Sequence, residues 1–178
     1  MDLRIEKTKR NIINAFLQLR SKKPLEKITV KELSQLAEIN KATFYLHYHD
    51  IYDLSETLEA EAVQSTLHSI EHADMIFSNI ELFVQELSEA FISNEQLIRI
   101  LFEGNRSIRF VNIFEEELKK LIANVNPDYF KSPEINMALT YMIYGAYYTY
   151  YKFRENGINS VFNIIGKLCA EIVKLYPQ

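Results

Sequence analysis

Apolar residues recur along this chain at three- and four-residue intervals, and no segment alternates as a half-buried strand does. The pattern predicts an all-α protein of nine helices. Over residues 3–21, Ile5, Ile12, Phe16 and Leu19 share one face while Lys7, Lys9 and Arg10 lie elsewhere, and Ser21-Lys22-Lys23-Pro24 ends the helix. Thr29-Val-Lys-Glu32 is a capping box, in which the Thr hydroxyl accepts the amide three residues on and Glu32 reaches back. It opens a short helix with Val30, Leu33 and Leu36/Ala37 inward. A break follows at Glu38-Ile39. Asn40 can then cap a second short helix, Lys41 to Tyr48, and Asp50 a long one running to about His72.

Two further capping boxes, Ser78-Asn-Ile-Glu81 and Ser93-Asn-Glu-Gln96, predict helices near 79–91 and 94–102. A helix near 106–124 ends at Asn126-Pro127-Asp128. Ser132-Pro133-Glu134 is a strong start: a cap, a proline at the first position and an acid on the positive end of the dipole. That helix runs to Asn156-Gly157, and a last one covers about 160–175.

Composition agrees. Four Gly and four Pro in 178 residues suit long helices, and 48% apolar residues can fill a sizeable core. Cys169 is the only cysteine, so no internal disulfide framework exists and a reducing compartment is expected. Met1 to Arg10 is charged throughout, unlike a secretory signal, and the expected location is the cytoplasm. The longest uncharged run, Ile135 to Tyr151, falls short of the roughly 20 apolar residues of a membrane span and carries many tyrosines. No membrane partner is expected.

Charge changes the picture. The whole chain carries −4, but residues 1–50 hold ten Lys and Arg against six Asp and Glu, a balance of +4. Residues 51–178 hold ten against eighteen, a balance of −8. That step suggests a basic head for phosphates on an acidic body.

Two short helices joined by a three- or four-residue turn, after a longer amphipathic helix, have helix-turn-helix spacing. A recognition helix must show its N-terminal residues to base edges while its back packs on its neighbours. Phe44 and Tyr48, four apart, supply the packing face; Lys41, Thr43, Tyr45 and His47 point elsewhere and can donate to phosphate or base. Spacing of this kind is not specific by itself, since any three-helix core can show it.

The residues say more. The stretch from Ile28 through Leu54, with its Thr-opened helix, Lys41-Ala-Thr-Phe-Tyr45 segment, His47-Tyr48 pair and capped fourth helix, closely resembles the DNA-binding domain of the TetR family. The resemblance covers about residues 5–58. It implies a nine-helix fold with a three-helix head over residues 1–50, a fourth helix at 50–72 linking it onward, and an effector-binding and dimerisation body over 51–178. It implies that Thr29 and Lys31 contact phosphates, that Lys41, Ala42 and Thr43 face the major groove, and that Tyr45 and His47 clamp the DNA backbone. Lys7 and Arg10 could add electrostatic contacts, while Phe44, Tyr48 and Leu33 would be core. Two positions depart from the family pattern: Glu38 stands where the turn usually has Gly, and Ile51 where a Lys commonly sits. His49 or Tyr52 could replace that lost cation.

The body resembles, more loosely, that of Gram-positive members, through Phe102-Glu-Gly-Asn105 and Tyr151-Lys-Phe-Arg-Glu-Asn-Gly157. In the family the last two helices pair across a homodimer as a four-helix bundle, and central helices surround an effector pocket. Tyr141, Tyr144, Tyr148 and Tyr151 share a helix face, with Tyr147 and Tyr150 turned toward a neighbouring one. They read as core and dimer seam, or as hydroxyls lining an apolar pocket. Phe83, Leu87, Phe91, Leu101, Phe102 and Phe110 are candidate walls, again with plain core as the simpler reading. Arg106 and Arg109, beside Glu103, could bind an anionic effector or form an exposed ion-pair network. Candidate effector residues are therefore Phe83, Leu87, Phe102, Arg106, Phe110, Tyr144 and Tyr147.

Other chemistry finds little support. His68-Ser-Ile-Glu71-His72 matches the H-x-x-E-H pattern of inverted zinc peptidases but lacks a third ligand and a cleft. Glu115-Glu116-Glu117 reads as a solvated face, and Cys169 as a small core residue. No Gly-rich phosphate loop or nucleophile elbow occurs, and no enzyme, cofactor or metal is expected. The expectation is a repressor that binds a palindromic double-stranded DNA operator as a dimer and is released by a small-molecule effector. The rivals are a regulator, even an activator, whose body binds a protein, and a helical interaction protein without DNA binding. A metallohydrolase is a more distant one.

Overall fold

A computed structural model describes residues 3–102 and 104–175. Among them every regular element is helical: α1 (Leu3–Arg20), α2 (Val30–Leu36), α3 (Lys41–Tyr45), α4 (Ile51–His68), α5 (Met75–Ser78), α6 (Ile80–Phe102), α7 (Ser107–Val125), α8 (Pro133–Phe153) and α9 (Ile158–Lys174). Short 3-10 turns sit at Leu25–Lys27, Gly104–Arg106, Tyr129–Lys131 and Arg154–Asn156. No described helix is long and apolar enough to cross a membrane. The all-α class and nine α-helices agree with the sequence pattern, but two of the nine are not the ones it predicts.

The expected helices at 79–91 and 94–102 are a single helix, α6. The second capping box is not used. Ser93 Oγ donates to the Glu89 carbonyl (2.8 Å) and Asn94 Nδ2 to the Ala90 carbonyl (3.0 Å). Side chains that bond back one turn stay inside a helix instead of opening a new one. At the first box the cap is Asn79, whose Oδ1 accepts from Leu82 N (3.2 Å), and Ser78 closes the extra helix α5. Elsewhere the expected caps are in place. Asp50 Oδ1 accepts from Asp53 N (2.8 Å) while Asp53 Oδ2 accepts from His49 N (2.8 Å). Ser132 Oγ accepts from Ile135 N (3.3 Å) at the start of α8.

The chain divides into two compact units, Met1–Ala62 with Gln96–Ser107, and Val63–Glu95 with Ile108–Gln178. In the first, α1 packs on α2 and α2 on α3 around Ile12, Phe16, Leu25, Leu33, Phe44 and Leu54, each 2% exposed or less. Its interior also holds charge. Glu59 is fully buried, and Arg106 grips it twice, Nε to Oε1 (2.6 Å) and Nη2 to Oε2 (2.9 Å). Ser55 Oγ adds a third bond to Oε1 (2.7 Å). Burial by itself opposes the guanidinium charge. The hydrogen bonds and charge of Glu59, with Glu56 and Glu26 behind it, outweigh that and hold Arg106 above its ordinary pKa. Arg20, 3% exposed, donates to the carbonyls of Leu101 (3.1 Å) and Lys23 (3.2 Å). Leu101 lies in the last turn of α6, where carbonyls lack helical partners and a cation is favoured.

In the second unit α8 packs on α9, and the interior is built from Phe83, Phe110, Val111, Leu118, Ile122, Leu139 and Ile165. The acidic run on α7 is only partly a solvated face. Glu116 is exposed, whereas half-buried Glu115 accepts from Lys119 Nζ (2.7 Å) and Thr140 Oγ1 (2.5 Å). Glu117 pairs with Lys120 Nζ (2.6 Å) and Gln64 Nε2 (3.2 Å). Gly157, at φ 98°, makes the turn between α8 and α9.

Arg106→Ala leaves a buried carboxylate without its cation and should cost roughly 3 kcal/mol or more, read as a lower urea midpoint. The paired change Glu59→Leu with Arg106→Met should be close to neutral. A loss under about 1 kcal/mol in Arg106→Ala would mean that water reaches Glu59.

Candidate nucleic-acid interface and internal cavity

The head's local geometry follows from two caps and one unusual turn. Thr29 Oγ1 accepts from Glu32 N (3.3 Å), the expected half of the capping box. The other half is replaced, because the Glu32 carboxylate takes the Lys23 ammonium. Asn40 Oδ1 accepts from Thr43 N (2.7 Å) and also from Thr43 Oγ1 (2.9 Å). The hydroxyl proton of Thr43 is thereby directed at Asn40, which leaves its lone pairs to accept from an outside donor.

Between α2 and α3, residues 37–40 form a Schellman turn. Ile39 N donates to the Ser34 carbonyl (3.0 Å) and Glu38 N to that of Gln35 (3.3 Å). Glu38 sits at φ 55°, the left-handed region where glycine is the favoured residue.

The candidate readers divide by exposure. Thr29, Lys31, Lys41, Ala42 and Tyr45 are exposed, and Thr43 and His47 are half-buried. Phe44 and Leu33 are fully buried and Tyr48 is 5% exposed, so the packing face is the one expected. The Phe44 ring stands edge-on to Tyr45 (5.5 Å) and tilted to Tyr48 (5.9 Å), which fixes the direction of the Tyr45 side chain. Burial, with Glu61 and Asp53 nearby, pushes the Tyr48 hydroxyl up to about 12. Ile51 is 5% exposed, a core residue in the first turn of α4 with no reach to a phosphate; His49 and Tyr52 beside it are exposed. Lys7 and Arg10 are exposed on α1. One residue escaped the sequence reading. Leu46, 83% exposed just past α3, falls outside the 44/48 apolar spacing, and that mismatch was its only signal.

The second unit holds a half-open apolar pocket of about 110 Å³. Of the residues expected to hold an effector, Phe83, Leu87, Phe110 and Tyr147 line it, as does Phe91. Tyr144 does not; its hydroxyl donates to Asn112 Oδ1 (2.6 Å). Phe102 and Arg106 belong to the first unit, where Arg106 is committed to Glu59. Glu103, expected beside Arg106 and Arg109, lies outside the described residues. Cys169 is in the lining, and burial pushes its thiol up to about 11, so it is neither a nucleophile nor a ready metal ligand at neutral pH.

The His68/His72 pattern loses its premise, since α4 ends at His68 and the two rings share no helix face. His72 Nδ1 instead meets Glu86 Oε1 (2.6 Å), and its backbone N–H donates to Glu86 Oε2 (3.2 Å). Among the described residues no three His, Cys, Asp or Glu side chains cluster as a metal site.

Comparison with protein-family models finds none that matches this chain, and comparison with curated proteins finds no relative.

Two outcomes follow from this geometry. Glu38→Gly relieves a left-handed β-carbon at a cost of about 1 kcal/mol, part of which glycine returns through its freer unfolded chain. The urea midpoint should rise by the equivalent of about 0.5 kcal/mol. Glu38→Ala, which removes the charge but keeps the β-carbon, should gain nothing. An equal gain in both variants would make charge the cause.

His72 should titrate above 6.5, raised first by its hydrogen bond to Glu86, then by that carboxylate's charge, with Glu71 and Asp74 adding to it. Glu86, in turn, should titrate below 4.5. The raised His72 stabilises the fold fully below 6.5, and that contribution is lost as pH climbs through its folded value. The depressed Glu86 contributes above 4.5 and loses its effect as pH falls through its own folded value. An NMR titration of Glu86→Gln should return the His72 imidazole toward 6.5.

Proposed function

We propose that this chain is a DNA-binding transcriptional regulator of the TetR type, acting as a homodimer on an approximately palindromic operator and released by a small molecule. The observation that carries the reading is the α2–turn–α3 arrangement. Its inner face is sealed by Leu33, Phe44 and Tyr48, while Lys41 and Ala42 at the start of α3 and Tyr45 at its end are open to solvent. A recognition helix needs that division: donors and a small residue outward for close approach to base edges, bulk inward for fixed aim. The +4 balance of residues 1–50 supplies attraction to phosphates that the chain as a whole, at −4, lacks.

In this reading Lys41, Ala42 and Thr43 enter the major groove, and Thr43 accepts from a base amino group. Thr29, Lys31, Tyr45 and His47 hold the phosphates. Two copies would place their α3 helices about 34–36 Å apart, one helical turn of DNA. Dimerisation is supported by exposed apolar residues on the last two helices, Met137, Tyr141 and Tyr148 of α8 and Ile164 and Leu168 of α9. Gly145, on α8 between Tyr141 and Tyr148, leaves open space where a side chain would stand, so a partner helix could approach there. The cavity in the second unit supports a small-molecule input over a protein one, because a close-packed body would leave no room for it. An effector acts by binding the DNA-incompetent state better, by a few kcal/mol.

The test is binding of the purified protein to DNA from just upstream of its own gene, beside a scrambled duplex and across a salt series. Binding tighter than the control by roughly a thousandfold or more is expected, with a steep salt slope. Lys31→Ala should weaken binding to all sequences alike and flatten that slope by about one unit. Thr43→Ala should lose roughly 1 kcal/mol of preference. Equal, weak binding to both duplexes and to selected genomic fragments would leave the helical interaction protein as the better reading.

A further inference from the structure

The cavity of the second unit is specific about what it can hold. Among the described residues its lining carries no Lys, Arg, His, Asp or Glu. The polar side-chain groups among the described lining residues are the hydroxyls of Tyr129, Tyr147 and Tyr150 and the Cys169 thiol. Tyr150 has already spent its proton on Glu95 Oε1 (2.8 Å), and burial keeps the thiol protonated. An ion entering this space would shed its hydration and meet no counter-charge. Water, too, finds few of the two to four partners that hold it in a buried site.

Size and shape narrow the guest further. The volume is about 110 Å³. A cavity of roughly 150 Å³ lined by Leu, Ile and Phe stays dry and takes benzene, so the space suits a single ring better than a fused pair. Its walls are aromatic rings, some stacked, as Phe110 on Phe114 and Tyr150 on Phe162, and others edge to face. Phe91 stands edge-on to Phe110 (5.9 Å), Tyr150 (4.9 Å) and Phe162 (6.1 Å), and Tyr147 tilts over Phe110 (5.5 Å). A flat aromatic guest can join such a cluster both edge to face and stacked, and gains from the ring quadrupoles what an aliphatic ring of the same size does not.

We propose that this cavity is a binding site for an uncharged single-ring aromatic molecule, a benzene ring bearing at most small alkyl groups. The proposal deepens the effector reading and rests on it for the consequence, release of DNA, but the binding itself stands on the cavity alone. The arginines that the sequence offered for an anionic effector do not line the site, and Arg106 is held by Glu59. The ligand class therefore passes from anion to neutral arene.

The experiment titrates toluene, benzoate and naphthalene into the full chain, by saturation-transfer NMR and by thermal unfolding. Ala146→Phe fills the space and Leu87→Ala enlarges it, both residues being in the lining. Toluene should bind saturably and raise the unfolding temperature. Benzoate should bind at least about tenfold more weakly. Ala146→Phe should lose toluene at least about tenfold, and Leu87→Ala should shift preference toward naphthalene. Should Ala146→Phe fail to fold, the Leu87→Ala shift still decides. The proposal is overturned by no saturable toluene binding, by benzoate matching toluene, or by an unchanged toluene-to-naphthalene preference in Leu87→Ala. Saturable toluene binding with unaltered DNA affinity would uphold the site and count against release by effector, which separates the two readings.

Discussion

A fully buried carboxylate governs the first unit. Glu59 lies on the apolar face of α4, among Leu54, Leu58 and Ala62, and an isolated charge there would cost several kcal/mol. The chain meets that cost with Arg106, 47 residues away in sequence, and with Ser55 one turn back. The demand for a partner thus draws the turn at Gly104–Arg106 into the same unit as α1–α3 and the first part of α4. Arg20 does the same for the end of α6 by donating to the Leu101 carbonyl. These bonds have direction, whereas apolar burial has little. They set which part of the later sequence completes the core beneath the short helices.

What could be read in the sequence, and what could not, divides along the same line. Local signals were legible: Thr29, Asn40, Asp50 and Ser132 cap the helices they were expected to cap, because a cap needs only a side chain and an amide three residues on. The buried face of α3 was legible as spacing. Ser93 shows where such signals fail. The same residues can open a helix or sit within one by bonding to the carbonyl a turn earlier, and only the packing of α6 decides. Arg106 was misplaced for a different reason. Its sequence neighbours suggested a surface pair, and the partner that claims it is distant along the chain. A charge at position 59 inside an apolar stripe was the available clue.

Charge is therefore handled in opposite ways at the two candidate sites. In the first unit it is concentrated, paired inside and presented outside by Lys31 and Lys41. In the second unit no charged side chain is among the described residues that line the cavity. Glu115, Glu117, Lys119 and Lys120 satisfy one another or nearby amides and hydroxyls along α7. The tyrosines of α8 divide between these settings: Tyr141, Tyr148 and Tyr151 face solvent, while Tyr147 and Tyr150 turn to the rings within. One helix can in this way serve a surface and an interior, since its successive faces are about 100° apart.

The position of the chain's single cysteine adds a property of another kind. Burial pushes the Cys169 thiol up to about 11, so it stays protonated at neutral pH, and its side chain is 8% exposed. A thiol reagent reaches so covered and protonated a group fastest in the moments when the bundle breathes. The rate of alkylation at this one atom is therefore a clock for those openings, free of interference from any other sulfhydryl. The same clock runs slower whenever something holds the bundle shut, so the protein carries its own reporter of internal motion.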